Sequence, residues 1–235
     1  SAQPIATDTA VLVTADATYP APDGFALPAY VARPEGAGPF PVVIVVSEIF
    51  GVHEYIRDVC RRLAKAGYAA VAPAFFVRVQ DPAPLSDMQA IQRIVAAAGY
   101  DQVMGDIGAT LDWIGAQSWA KADKVGITGF CWGGTLAFLA NTRLGLPAVS
   151  YYGARTVPVL DETLQAPMLF HFGAEDSSIP PDDIAAHRQR QPEAEVHVYP
   201  AGHGFNRDVD PAHYAPDSAA DARRRTMRFL ATALR

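Results

Sequence analysis

Short apolar runs alternate with longer segments of helical periodicity along this chain, and this alternation restricts the possible folds more than any other feature. The run PVVIVV precedes a helical pattern from about residue 54 to 66, and AAVAP precedes helical stretches that continue to about residue 113. Further apolar runs, KVGIT, PAVSYY, APMLFHFG and EVHVYP, lead to a last helical pattern over residues 218–234. Strands that are apolar on both faces belong in a mostly parallel sheet covered by helices. We therefore expect an α/β fold with a mostly parallel central sheet and helices on both faces.

The pattern of the chain gives no sign of a division into domains. Proline and glycine cluster between elements, as in RPEGAGPFP, and the 235 residues contain no internal repeat, long linker or low-complexity tract. The segments TAVLVTA and FALPAYVARP have the pattern of one or two antiparallel strands at the sheet edge. We expect one domain over residues 1–235, in which residues 1–25 form an N-terminal extension and edge strand.

Charge and hydropathy exclude two classes of partner. The formal net charge is −6 and only three of the nineteen basic residues are lysine, so no basic stripe is available to follow a nucleic-acid backbone. The most apolar run, PVVIVV, is far shorter than the roughly 20 residues that span a bilayer, so we expect no membrane span. No clear stripe for dimerisation is evident, and we expect a monomer.

The chain has two cysteines, Cys60 and Cys131, which excludes a disulfide framework. Cys60 falls on the apolar face of a helical pattern, and we expect it to be an inert core thiol. The sequence begins SAQPIATDTA without a methionine. We expect a cytoplasmic protein, or a periplasmic one if this end was left by signal-peptide cleavage.

Cys131 lies in the stretch GFCWGG, between an apolar strand and a helical pattern. A Gly-x-Cys-x-Gly turn at this point is typical of a nucleophile elbow with cysteine in place of the usual serine. Backbone amides and the helix dipole at such a turn favour a thiolate and can stabilise an oxyanion. We therefore predict that Cys131 is a nucleophile.

Two more loops that follow strands complete a candidate triad. Asp176 follows the strand APMLFHFG, and His203 follows EVHVYP within a glycine-flanked loop. The chain order Cys131, Asp176, His203 is the order of α/β-hydrolase triads. In this interpretation Cys131 attacks an acyl carbon to form an acyl-thioester, His203 transfers the proton, and Asp176 orients and stabilises the imidazole.

Three further histidines lack the loop position that a catalytic base needs. His171 and His197 fall within strands and His187 falls within a polar helix, so we expect structural roles for all three. Metal binding is the rival interpretation of a Cys, His and carboxylate set. The chain has no Cys-x-x-Cys, His-x-His or His-Glu-x-x-His spacing, so we expect neither a metal nor another cofactor.

A fourth loop follows the buried run Val42–Val46 and begins with Glu48. In α/β-hydrolases the corresponding loop supplies an oxyanion-hole amide, which makes the backbone of Ile49 a donor together with that of Trp132. A carboxylate is unusual here, and a cap or turn role for Glu48 is the alternative interpretation.

With these residues assembled, the chain resembles the dienelactone hydrolase (carboxymethylenebutenolidase) family of α/β-hydrolases from about residue 30 to residue 234. The similarity is carried by SEIFG, RRLAKAGYAAVAP, GITGFCWGG, YYG, GAEDSSIP and AGHGFNRD. It implies the α/β-hydrolase fold, the triad Cys131, Asp176 and His203, the active-site glutamate Glu48, and oxyanion amides from Ile49 and Trp132. The segment that follows Arg78, which forms part of the pocket wall in the family, differs from the catabolic enzymes.

The resemblance also implies a lactone substrate whose carboxylate two arginines hold. The matching residues are Arg78 after the fourth strand of the family and Arg207, four residues beyond His203, and Tyr152 in YYG is a further substrate-binding candidate. Guanidinium pairs well with a planar carboxylate. We therefore expect a small anionic lactone or ester as the substrate.

The cysteine has a physical rationale in this setting. Glu48 near the thiol would penalise a second negative charge, so Cys131 would stay protonated until an anionic substrate disturbs the ion pairing and moves the carboxylate. The alternatives to a lactone hydrolase are a general carboxylesterase or thioesterase and, from another class, a non-catalytic ligand-binding member of the fold.

Overall fold

The computed structural model describes residues 4–235, which cluster into two compact units. We call Ala6–Val125 the N-terminal unit, and Gly126–Arg235 together with residues 4 and 5 the C-terminal unit. The described residues form eight strands and six helices. The predicted α/β class is confirmed, whereas the single domain over residues 1–235 stays a prediction.

The N-terminal unit combines antiparallel and parallel pairing. Strands β1 and β2 pair antiparallel, β2 pairs antiparallel with β4, and β3 pairs parallel with β4. The antiparallel pairing predicted for the N-terminal segments is therefore present. Its elements in chain order are β1 (Leu12–Pro20), β2 (Ala26–Pro34), β3 (Phe40–Val46), α1 (Glu54–Lys65), β4 (Ala69–Pro73), α2 (Met88–Ala97) and α3 (Tyr100–Gly115).

The C-terminal unit has parallel pairing throughout its sheet. Strand β5 begins in the N-terminal unit, and the neighbouring strands β5, β6, β7 and β8 pair in parallel register. Residues after each of these strands therefore lie at one edge of the sheet, where ligands bind in such folds. The elements are β5 (Ala120–Phe130), α4 (Trp132–Leu144), β6 (Ala148–Tyr151), a 3-10 turn (Val157–Val159), β7 (Met168–Gly173), α5 (Pro181–Arg190), β8 (Glu195–Tyr199) and α6 (Pro216–Ala233).

Burial agrees with the apolar pattern of the sequence. Residues 42–46 of β3 have no exposed surface, and Cys60 on α1 is fully buried, as predicted. Burial raises the pKa of the Cys60 thiol, with the Arg61 charge opposing, which favours the protonated form. Helix α4 is buried along most of its length and ends at Leu144, and the capping residue Gly145 has a φ of 73°, which suits glycine.

Helix boundaries differ slightly from the sequence predictions. The last helix begins at Pro216 rather than at residue 218, because proline fits the first turn of a helix. Strand β5 extends well beyond the run KVGIT.

Within residues 4–235, no helix combines the length and the apolar character needed to cross a membrane.

Candidate active site

The turn between β5 and α4 holds Cys131 in an unusual backbone conformation. Cys131 has φ 56° and ψ −118°, a combination that costs a non-glycine residue about 1–3 kcal/mol. Its N–H donates to the Tyr151 carbonyl at 2.9 Å, and its own carbonyl accepts from the Gly134 N–H at 2.9 Å. The turn therefore has the strained strand-to-helix geometry of a nucleophile elbow.

The glycine before the elbow is required by close backbone contact. A Cβ atom on Gly129 would lie 1.8 Å from the carbonyl oxygen of Gly133, which is shorter than any real contact. Only a residue without a side chain lets the first turn of α4 pass this close to β5.

His203 and Asp176 lie in one hydrogen-bonded row with Cys131. His203 Nε2 is 3.0 Å from Cys131 Sγ, and His203 Nδ1 is 2.7 Å from Asp176 Oδ2. The Asp176 carboxylate is fully buried, and its Oδ1 accepts from the Ser178 N–H at 2.8 Å. The structure thus brings together three side chains that are up to 72 positions apart in the sequence.

The surroundings of His203 favour its protonated form. Burial disfavours the charge, but the hydrogen bonds and charges of Asp176 and Cys131 outweigh burial and raise the pKa of His203 to about 10. The Tyr152 ring lies against the imidazole with 5.2 Å between the ring centroids. Such an imidazolium can pair with a thiolate and return a proton to a leaving group.

The two oxyanion candidates lie in different units. Trp132 is the first residue of α4, where the helix dipole is positive, and its side chain is buried. Ile49 lies in the turn after β3, in which the Gly51 N–H donates to the Glu48 carbonyl at 3.2 Å.

Glu48 has a partner that the sequence interpretation missed. The buried Glu48 carboxylate accepts a hydrogen bond from His53, with 2.8 Å between Oε1 and Nε2. His53 is the N-cap residue of α1. The five-residue spacing in SEIFGVHE was the available signal, but spacing alone does not show that a loop folds back on itself.

The two predicted substrate arginines have different surroundings. Arg78 is paired with Asp23 and with the buried Asp106, which lies 2.6 Å away. Burial raises the pKa of Asp106, with Arg78 opposing. Because two carboxylates already balance Arg78, a substrate carboxylate would have to compete with them, and the substrate role of Arg78 stays a prediction.

Arg207 belongs to the loop that carries His203. Its N–H donates to the Gly204 carbonyl at 3.0 Å, and Arg207 Nη1 lies 3.6 Å from Asp210 Oδ2. The side chain keeps about a fifth of its surface exposed, 21%. Its substrate role and that of Tyr152 also stay predictions.

The three histidines for which the sequence predicts structural roles lie in the predicted strands and helix. His171 is buried on β7, His197 pairs with Glu195 on β8, and His187 is buried on α5. Burial lowers the pKa of both His171 and His187. Within the part of the chain that the structure describes, no group of three or more His, Cys, Asp or Glu side chains could hold a metal ion.

Comparison with known sequences gives one consistent result. The sequence model of the "Dienelactone hydrolase family" matches residues 27–234. A Yersinia pestis protein named "Putative carboxymethylenebutenolidase" is 41% identical, with 87% of this chain and 83% of the relative covered. A Bradyrhizobium protein named "Probable 2-oxo-3-(5-oxofuran-2-ylidene)propanoate lactonase" is 35% identical, with 86% of this chain and 88% of the relative covered.

Comparison with solved structures agrees. The crystal structure of a "Putative Dienelactone Hydrolase" from Klebsiella pneumoniae is 38% identical and superposes with a TM-score of 0.88. The match covers 94% of this chain and 98% of that one. The fold is therefore the α/β-hydrolase fold of these relatives.

Proposed function

The chain belongs to the dienelactone hydrolase family, and on this premise we propose that it opens a carboxylate-bearing lactone, of the dienelactone-to-maleylacetate type, by covalent catalysis at Cys131. The observation that carries the proposal is the hydrogen-bonded row Cys131–His203–Asp176 at the elbow. The names of the relatives, which include a lactonase, support a lactone as the substrate class.

The first half of the proposed reaction forms a thioester. The Cys131 thiolate attacks the lactone carbonyl carbon, a C–S bond forms, and the carbonyl oxygen becomes an oxyanion held by the backbone N–H of Trp132 at the start of α4, whereas the donor role of Ile49 stays a prediction. Collapse of this intermediate breaks the ring C–O bond. The enolate that leaves takes its proton from the His203 imidazolium and becomes a ketone.

The second half releases the product and re-forms the thiolate–imidazolium pair that reacted. Neutral His203 accepts a proton from a water molecule, whose oxygen attacks the thioester carbonyl. The C–S bond then breaks, the carboxylic acid leaves, and the thiolate pairs again with imidazolium. Asp176 remains ionised throughout and holds the imidazole by its Nδ1–H.

An enolate leaving group suits a thiolate nucleophile. An enolate is much less basic than an alkoxide or an amide anion, so the ring bond breaks readily from the tetrahedral intermediate. We therefore expect lactones and activated esters to react and amides to resist.

The substrate carboxylate and Glu48 belong to the same proposal. We propose that Arg207 and Tyr152 bind the substrate carboxylate. Arg207 belongs to the loop that carries His203, and the Tyr152 ring contacts the His203 imidazole. We assign Glu48 the task of keeping the thiol protonated until an anionic substrate arrives. The substitutions Arg207→Gln and Glu48→Gln test these assignments.

A general esterase or thioesterase is the second candidate function. The observation that favours it is the pairing of Arg78 with Asp23 and Asp106. These carboxylates already occupy one of the two arginines that the sequence predicts to bind the substrate carboxylate. A non-catalytic binding protein is the third candidate, and the hydrogen bond between His203 and Cys131 argues against it.

The test is steady-state hydrolysis of cis- and trans-dienelactone beside p-nitrophenyl acetate. Cys131→Ala should abolish turnover, and Cys60→Ala serves as the matched control because this thiol is buried on α1, outside the candidate site. Fast Cys131-dependent turnover of a dienelactone supports the proposal. Turnover of the neutral ester alone favours the esterase, and binding without turnover or thiol labelling favours the binding protein.

A further inference from the structure

A buried histidine that the proposed reaction does not use lies at the centre of a hydrogen-bonded chain in the C-terminal unit. His171 Nδ1 is 2.9 Å from Tyr199 Oη, and His171 Nε2 is 2.9 Å from Thr226 Oγ1. Thr226 Oγ1 is in turn 2.8 Å from Tyr151 Oη, and Arg225 donates to Tyr199 Oη at 3.1 Å. The five side chains connect the surface of α6 to the last residue of β6.

The arginine at one end favours one direction for these hydrogen bonds. A guanidinium group only donates, so Tyr199 Oη accepts from Arg225 and keeps its own proton available for His171 Nδ1. In this arrangement His171 carries its proton on Nε2 and donates to Thr226. Burial, together with the charges of His197 and Arg225, lowers the pKa of His171 well below its ordinary value. The neutral ring offers one donor and one acceptor, which is what this chain of hydrogen bonds requires.

The dipeptide Tyr151–Tyr152 links this chain of hydrogen bonds to the candidate active site. The Cys131 N–H donates to the Tyr151 carbonyl at 2.9 Å, and the Tyr152 N–H donates to the His171 carbonyl at 2.7 Å. Tyr152 has a positive φ of 38°, and its ring lies against the ring of His203. His171 thus holds the dipeptide twice, by its side chain through Thr226 and by its backbone.

We propose that His171 is a positioning residue, which fixes the Tyr151–Tyr152 dipeptide and thereby sets the Cys131 thiol in line with His203. The inference rests on the proposed function, because a reacting Cys131–His203 pair is what the positioning serves. A displacement of about 1 Å at a reacting group can cost about 100-fold in rate. Loss of the His171 side chain also removes one hydrogen-bond partner from each of the buried residues Tyr199 and Thr226, which favours such a displacement.

The test is the rate of Cys131 alkylation by iodoacetamide as a function of pH. The background is Cys60→Ala, so that one thiol reacts. We expect His171→Leu and Thr226→Val to slow alkylation about tenfold or to displace its pH profile, because the thiol and the imidazole lose their alignment. His171→Gln should restore part of the rate, because its amide N–H can replace the donor to Thr226.

A neighbouring histidine supplies the control. His197 stacks on His171 with 6.3 Å between ring centroids, but its side chain hydrogen-bonds to Glu195 rather than to a member of this chain of hydrogen bonds. His197→Gln should leave the alkylation profile unchanged. Equal slowing in His197→Gln, or wild-type profiles in both His171→Leu and Thr226→Val, would overturn the inference.

Two further measurements keep the inference separate from folding and from the proposed function. If His171→Leu does not fold, Thr226→Val decides, because it removes one hydroxyl group at nearly constant shape. Alkylation requires no turnover, so the rate ratio of variant to parent tests the positioning alone. Lactone hydrolysis by the unsubstituted chain tests the proposed function alone.

Discussion

Protonation of His203 sets the pH range in which the site is stable. Its pKa is raised from 6.5 to about 10, since the hydrogen bonds and charges of Asp176 and Cys131 outweigh the opposing effect of burial. The folded chain therefore binds an extra proton between these values, and the stability it gains is complete below about pH 6.5 and is lost as the pH rises towards 10. We expect the stability difference between the wild type and His203→Gln to shrink from about pH 7 to about pH 10 in thermal unfolding. A pH-independent difference would contradict this.

The two arginines should respond differently to substitution. Arg207→Gln should raise KM for the anionic lactone about tenfold and leave the neutral ester unaffected, because a hydrogen bond to a charged group contributes about 1.5–3 kcal/mol. Arg78→Gln should instead reduce the free energy of unfolding by about 3 kcal/mol, because it leaves the buried Asp106 without its cation. Steady-state kinetics and urea unfolding of both variants measure this contrast. Equal KM effects for both substrates in Arg207→Gln would argue against carboxylate binding.

Glu48→Gln tests the predicted control of the thiol by a carboxylate. Glutamine keeps an acceptor for His53 but carries no charge, so the local fold should persist. We expect faster alkylation of Cys131 in the absence of substrate and slower lactone hydrolysis. If neither rate changes, Glu48 has no part in the mechanism.

At the scale of the elements, the strand-to-helix turn depends on one close approach. Gly129→Ala would place a methyl group 1.8 Å from the Gly133 carbonyl oxygen, so β5 and α4 would have to separate. Overpacking typically costs about 1–3 kcal/mol, and a backbone clash of this size should lie at the upper end. We expect a lower melting temperature and slower alkylation of Cys131. Gly108→Ala in α3, with open space around the added methyl group, is the control and should be neutral or slightly stabilising.

The sequence predicted the strands and helices better than the contacts between them, because strands and helices follow from local patterns. The elbow is encoded within GITGFCWGG, so its strand, turn and helix could be recognised together. The pairing of Arg78 with Asp23 joins residues 55 positions apart, and that of His171 with Thr226 likewise joins residues 55 positions apart. Such pairs depend on the packing of whole elements, which composition and periodicity do not determine.

At the scale of the whole molecule, the alternation of apolar runs and helices predicted the α/β class, and the similarity to relatives confirms it. Chain order alone indicated that Cys131, Asp176 and His203 would meet, because loops after parallel strands share one sheet edge. The partner of Glu48 was missed because the fold of a loop follows from its backbone turns rather than from hydrophobic period. The predicted monomer is tested by analytical ultracentrifugation, in which a dimer would contradict it.

Covalent catalysis at Cys131 is the central claim, and the acyl-enzyme tests it most directly. Intact-protein mass spectrometry after rapid acid quench of a reaction with p-nitrophenyl acetate should detect one added acetyl group, and peptide mapping should place it on Cys131. Cys60→Ala should show the same adduct, and Cys131→Ala should show none. Hydrolysis of the ester at an undiminished rate by Cys131→Ala, or an adduct on another residue, would contradict the account.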